Sequence, residues 1–153
     1  MSSFTSHMPA AMAEARAAAA RGEVPVGAVV VRDGVVIASA GNRMRELRDP
    51  TAHAEMLAIR AACAALAAER LTGCDLWVTL EPCPACAGAI AAARLSRLYY
   101  GASDPKSGGV AQGPRVFDHP QAHWTPEIYH GIDEEAAAAL LTEFFAKRRS
   151  LPR

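Results

Sequence analysis

The sequence predicts an α/β fold built on a mixed sheet, and three observations carry that expectation. Strand-patterned runs alternate with helix-patterned runs, as in layered α/β architectures. The first two strands are joined by Asp33-Gly34, a two-residue hairpin turn, and so run antiparallel. Later strands are separated by helical stretches long enough to return the chain parallel, which makes the sheet mixed. With 153 residues, 51% hydrophobic and 21% charged, the chain is expected to form one domain over 1–153 with a real core. Its ends, 1–7 and 150–153, are expected to be loose.

Met8, Met12, Ala15 and Ala19 recur at helical spacing, predicting an amphipathic helix over 8–21 that Gly22 ends. Val26 to Val31 is a β-rich run, and Val35-Val36-Ile37 is the return strand. Residues 41–52, with Gly41, Asn42 and Asp49-Pro50, predict a loop. Thr51 is suited to cap the next helix, which places His53 in its first turn and Met56, Ile59, Cys63 and Leu66 on one buried stripe. Leu76 to Leu80 is a short strand. It feeds a helix from Ala85 to about Ala93 whose small residues suit close packing on another helix or a second subunit. Leu98-Tyr99-Tyr100 is a fourth strand. Residues 103–122, rich in Gly, Pro and polar residues, predict a loop with one turn of helix. Within it Ser107-Gly108-Gly109 lacks the Gly-Lys-Ser context of a phosphate loop. Trp124 to Tyr129 predicts a fifth strand at the sheet edge, because Pro126 cannot donate to a central ladder. Asp133 is suited to cap a last helix over 133–149, with Leu140, Leu141, Phe144 and Phe145 on its apolar face.

Sixteen basic and sixteen acidic side chains cancel, so no global charge draws the chain to nucleic acid or membranes. A polyanion's footprint must be a local patch. Four cysteines make no disulfide framework, and thiolate ligands suit a reducing cytoplasm. The N-terminal alanines are interrupted by Glu14, Arg16 and Arg21, so neither a signal peptide nor a membrane span is expected.

The chemistry lies in Asp49-Pro50-Thr51-Ala52-His53-Ala54-Glu55, answered by Glu81-Pro82-Cys83-Pro84-Ala85-Cys86. A catalytic zinc takes three protein ligands and keeps a fourth position open, and Cys2His is one such set. Pro84 favours the first position of a helix, so Cys83 and Cys86, three apart, point the same way from its N-terminus. The helix dipole there favours thiolates. Glu55 is two residues from His53 and faces another direction, so it suits a proton shuttle rather than a fourth ligand. Pro-Cys-x-x-Cys alone also occurs in structural zinc sites and redox motifs. A structural site, however, closes with a fourth Cys or His, and neither Cys63 nor Cys74 falls in a second Cys-x-x-Cys. Cys63 sits on the predicted core stripe.

His-x-Glu followed by Pro-Cys-x-x-Cys is the signature of the zinc-dependent nucleobase deaminases. The chain further resembles the bacterial tRNA-specific adenosine deaminases of the cytidine-deaminase superfamily over residues 8–149. The resemblance runs through Glu23-Val24-Pro25-Val26-Gly27-Ala28-Val29, Gly41-Asn42-Arg43 and Asp49 to Glu55. It continues through Thr79 to Cys83, Cys86 to Ile90, Tyr100-Gly101-Ala102 with Asp104 and Lys106, and Phe144 to Arg149. It implies a three-layer α-β-α fold with a five-stranded mixed sheet and a homodimer with one zinc per subunit. The implied reaction converts adenosine to inosine at the wobble position of an anticodon loop, in an arginine tRNA. His53, Cys83 and Cys86 carry over as ligands and Glu55 as the shuttle. Asn42 carries over as a base contact, with Val26 and Ala54 lining the pocket. Asp104, Lys106, Phe145 and Arg149 carry over as RNA contacts. Taken as residues, Asn42 offers both a donor and an acceptor to a base edge and equally suits a turn. Lys147-Arg148-Arg149 suits phosphate and equally a solvated helix end. Residues 107–123 depart from the family pattern, and His119, His123 and His130 read as loop residues. The alternative is a deaminase of a free base or nucleoside, such as guanine, cytosine or cytidine, on the same fold.

Overall fold

The computed structural model describes residues 4–150. Five strands, β1 (Gly27–Arg32), β2 (Val35–Gly41), β3 (Cys74–Leu80), β4 (Arg97–Ala102) and β5 (Glu127–Tyr129), form one sheet in the order β2-β1-β3-β4-β5. The pairs β1–β2 and β1–β3 are antiparallel, while β3–β4 and β4–β5 are parallel. The sheet is mixed, as the hairpin and the helical crossovers predict. Asp33 and Gly34 both have positive φ, 50° and 76°, the geometry that matches the twist of a two-residue hairpin.

Alternate side chains of the strands bury opposite faces. Val29, Val31, Trp77 and Tyr99 pack with Met8, Ala11 and Met12 of α1 (Met8–Ala20) and with Ala137 of α5 (Glu134–Arg149). Ala28, Val30, Leu76, Val78 and Leu98 pack with Ala58 and Ala62 of α3 (Ala54–Leu66) and with Ala87 and Ile90 of α4 (Pro84–Ala93). The result is three layers, with helices on both sides of the sheet. A buried side chain of the size of Leu76 or Ile90 stabilises the fold by about 1.5–3 kcal/mol. Helix α1 lies so close to β1 that a Cβ at Gly27 would stand 2.0 Å from the Ala11 carbonyl oxygen.

Several expectations change. The loop 41–52 contains a one-turn helix, α2 (Met44–Leu47), whose N–H groups at Arg45 and Glu46 bond the buried Glu23 carboxylate at 3.0 and 2.9 Å. Thr51 does not cap α3; its hydroxyl and N–H bond Asp49, and His53 occupies the cap position. The buried face of α3 is Ala54, Glu55, Ala58, Ile59 and Ala62, one step out of phase with the predicted stripe. Alanines let the helix settle close on the sheet, and Met56, Cys63 and Leu66 stay half-buried at its flanks. On α1 the buried position is Ala18 rather than Ala19. Residues 1–3 and 151–153 of the expected loose ends lie outside the described residues. Residues 4–7 are tied down: the Phe4 and His7 rings lie 5.9 and 5.7 Å from that of Trp77, and the Ser6 hydroxyl accepts the Met8 N–H. On α5 only Ala137 is buried, and Phe145 is 42% exposed, so its apolar face is largely unburied.

Candidate active site

Two helix starts meet below the sheet's β1–β3 end. His53 is the cap residue of α3, Cys83 is the cap residue of α4 with Pro84 next to it, and Cys86 follows in the first turn. The His53 Nδ1 lies 3.5 Å from the Sγ of Cys83 and 3.5 Å from that of Cys86. The ligand atoms of all three lie within 4.8 Å of one another. A tetrahedral zinc with ordinary Zn–S and Zn–N bonds sets its N and S ligands about 3.6 Å apart, so the donor set and its spacing fit that ion. Among the described residues this is the one such group of three or more metal-ligating side chains. His119 and His123 instead line a separate apolar hollow of about 580 Å³ beside α4.

Without a metal the three groups share protons. The Cys83 thiol is held down to about 4, first by its bond with Cys86 and then by His53. Cys86 is driven above the thiol range by the same bond and by burial, and His53 is raised chiefly by Cys83 against the effect of burial. The centre thus holds a thiolate at neutral pH, and a divalent ion displaces the remaining protons.

Glu55, in the first turn of α3, is 3% exposed and lines a cavity of about 180 Å³ with His53, Cys83, Asn42 and Val26. Burial pushes its carboxyl up to about 7, opposed by its own N–H and by His53. Such a group both accepts and releases a proton near neutral pH. Asn42 is buried at the end of β2, and its Oδ1 accepts the Ala54 N–H at 2.7 Å. That bond engages one lone pair of the acceptor and fixes the side chain, which leaves its NH2 group as the donor Asn42 can offer a ligand. It also supplies the cap that Thr51 does not. Ala54 itself is fully buried in the core and is not among the residues that line the cavity; it gives its N–H to Asn42. Val24 and Leu80, from the stretches that carry the resemblance, line the cavity, as do Met44 and Ser107, which belong to none of those stretches and enter only through folding.

The cavity shares Val24, Leu80, Asp104 and Ser107 with a groove of about 860 Å³. Asp104, Lys106, Phe145 and Arg149, spread along the sequence, all line that groove, with Arg148 beside them. Three cations stand there against one carboxylate. The Asp104 Oδ1 accepts the N–H groups of Lys106 and Ser107 at 3.2 and 3.0 Å, which shapes the turn. Glu81, at the end of β3, is buried beneath this turn. Burial opposes its charge, but four backbone N–H bonds outweigh it and hold the carboxyl below the usual range.

The profile of the MafB19-like deaminase family matches residues 1–149. A relative from Agrobacterium fabrum, named a tRNA-specific adenosine deaminase, is 55% identical over 149 residues, 97% of this chain and 98% of that one. A solved structure from studies of A-to-I editing by tRNA:A34 deaminases at the wobble position superposes with a TM-score of 0.87 at 57% identity. The match covers 88% of this chain and 97% of that one. A structure from work on the guanine deaminase of Nitrosomonas europaea superposes with a TM-score of 0.81 at 26% identity, over 95% and 87% of the two chains.

Proposed function

The chain belongs to the MafB19-like deaminase family, and from that premise we propose that it deaminates adenosine to inosine at the wobble position of a tRNA anticodon. The observation that carries the reading is the junction of two spaces. A small cavity holding Glu55 and the His53–Cys83–Cys86 group opens into a basic groove. A free base needs the cavity alone, whereas an RNA uses both.

A zinc ion held by the three ligands supplies Lewis acidity, making water acidic enough to attack near neutral pH. Glu55 takes the proton of that water and gives a proton to adenine N1 as C6 is attacked. As the C6–N bond breaks, Glu55 carries a second proton to the departing amine, so adenosine and water become inosine and ammonia. Asn42 donates its NH2 to an acceptor on the base edge, and Val26 closes one wall. The base leaves its stack first, which costs less in an anticodon loop than in a duplex. Lys106 and Arg149 meet flanking phosphates, and Phe145 offers a ring for a neighbouring base. Asp104 shapes the groove's turn and faces the same strand.

An arginine tRNA is the proposed substrate and the cytoplasm the proposed compartment. No described helix is long and apolar enough to cross a membrane. A homodimer with one zinc per subunit is supported by the outer face of α4, where Gly88 and Ala92 leave small, exposed surface beside the apolar hollow. Light scattering tests it.

The deciding experiment gives the zinc-loaded protein an anticodon stem-loop with adenosine at the wobble position, and separately free adenosine, cytidine and guanine. Inosine in the stem-loop alone is expected. Turnover of a free base or nucleoside with the RNA untouched overturns the substrate and keeps the zinc chemistry, in line with the likeness to a guanine deaminase.

A further inference from the structure

Glu81 stands two residues before Cys83, is 2% exposed, and has no part in the chemistry above. Its two oxygens nevertheless gather five donors from one loop. Oε1 accepts the Asp104 N–H at 3.1 Å and the Ser103 hydroxyl at 3.2 Å. Oε2 accepts the N–H groups of Val110, Ala111 and Gln112 at 3.1, 2.9 and 3.0 Å. Between β4 and the 3-10 turn Val116–Asp118 this loop has no regular ladder of its own. Bonds to an ionised acceptor are stronger than neutral ones, and five converge here, so one buried carboxylate takes the place of a ladder.

The loop's glycines are shaped to the same contact. A Cβ at Gly108 would stand 2.6 Å from the Glu81 carboxyl, and one at Gly109 would stand 2.6 Å from the Pro84 nitrogen. Gly109 also gives its N–H to the Pro82 carbonyl at 2.8 Å. The loop is therefore drawn down onto the segment that carries Cys83. Asp104 and Ser107, at its near end, are the residues where cavity and groove join.

We propose that Glu81 is a positioning residue for substrate: it holds the 103–112 loop as the pre-formed wall of the cavity mouth, in register with the β3–α4 junction that carries Cys83. Pre-formed walls lower the ordering cost of binding. The inference deepens the proposed function and rests on it for the identity of the substrate, but not for the tether itself.

Glu81→Gln tests it. The amide can keep its oxygen on the 110–112 N–H groups, but its NH2 then faces the Asp104 N–H, donor against donor. Backbone hydrogen exchange is expected to quicken about tenfold at Asp104, the effect of losing one buried bond. Metal analysis is expected to find one zinc per chain, as in the wild type. On the stem-loop, KM is expected to rise about tenfold with kcat within about threefold, because the wall binds and does not react. Gly108→Ala presses on the same contact from the loop side, with Glu81 intact, and is expected to raise KM likewise. Wild-type exchange at Asp104 in the glutamine variant overturns the tether. Quickened exchange with wild-type KM, or a fall in kcat that tracks lost zinc, overturns the substrate role. A wild-type protein inactive on the stem-loop would count against the proposed function alone, since exchange at Asp104 reads the tether without substrate.

Discussion

Asn42 separates two roles that its position merges. Its Oδ1 accepts the Ala54 N–H at 2.7 Å, at the start of the helix that carries His53 and Glu55, and its NH2 is left for the base. Asn42→Ala removes both. A buried N–H left without its acceptor costs about 1–3 kcal/mol. Taking about 2 kcal/mol, a chain of this size loses about 4–8 °C in Tm. Asn42→Asp keeps an oxygen for Ala54 and adds a negative charge at a helix N-terminus, which is favourable by about 0.3–1 kcal/mol at such ends. It replaces the donor to the base with an acceptor, and that mismatch costs about 1–3 kcal/mol, roughly ten- to hundredfold in kcat/KM. Thermal unfolding of the zinc-loaded variants and stem-loop kinetics read the two roles apart. The aspartate variant is expected to melt near wild type and react slowly; the alanine variant is expected to do both badly. A wild-type Tm for Asn42→Ala would falsify the capping role, and wild-type kcat/KM for Asn42→Asp refutes the donor to the base.

Three further outcomes are expected. Glu55→Gln is expected to lose about 10²–10⁴ in turnover while metal analysis still finds one zinc per chain, since its carboxyl moves protons and binds no metal; zinc lost together with activity refutes the shuttle. Arg149→Ala is expected to flatten the dependence of log KM on log salt for the stem-loop by about 1, the mark of one phosphate contact, and an unchanged slope removes Arg149 from the RNA footprint. Asp75 of β3 has a buried, unpartnered Oδ1, and burial holds its carboxyl above the ordinary 3.8 despite Arg97. Its folded pKa is the higher one, so its stabilising contribution is present below 3.8 and is lost as pH rises through the folded value. Urea unfolding across that window is expected to show Asp75→Asn gaining on wild type as pH rises, and parallel profiles for the two proteins refute the shift.

Much of this molecule is legible in its residues because the signals are local. Asp33-Gly34 specifies a hairpin through two positive φ values, and Pro84 after Cys83 specifies a helix start that aims two sulfurs one way. His53, Glu55, Cys83 and Cys86 could be named from spacing and chemistry alone. What tertiary structure decided is long-range. It brought the His53 ring between two sulfurs thirty residues on, at 3.5 Å from each. It tied the Asn42 oxygen to a backbone N–H twelve residues away, and so fixed how that side chain is presented. It set the phase of α3 by how closely alanines approach a sheet, which periodicity cannot fix to one residue. It gave Glu81, which carries no chemistry in sequence, five donors from a loop more than twenty residues downstream. Composition summed to zero charge, yet folding gathered Lys106, Arg148 and Arg149 on one groove beside the cavity. Local backbone preference writes elements and ligand spacing into a sequence; which buried polar atom satisfies which distant backbone group is settled only when the chain packs, because an unmet buried donor is too costly to leave.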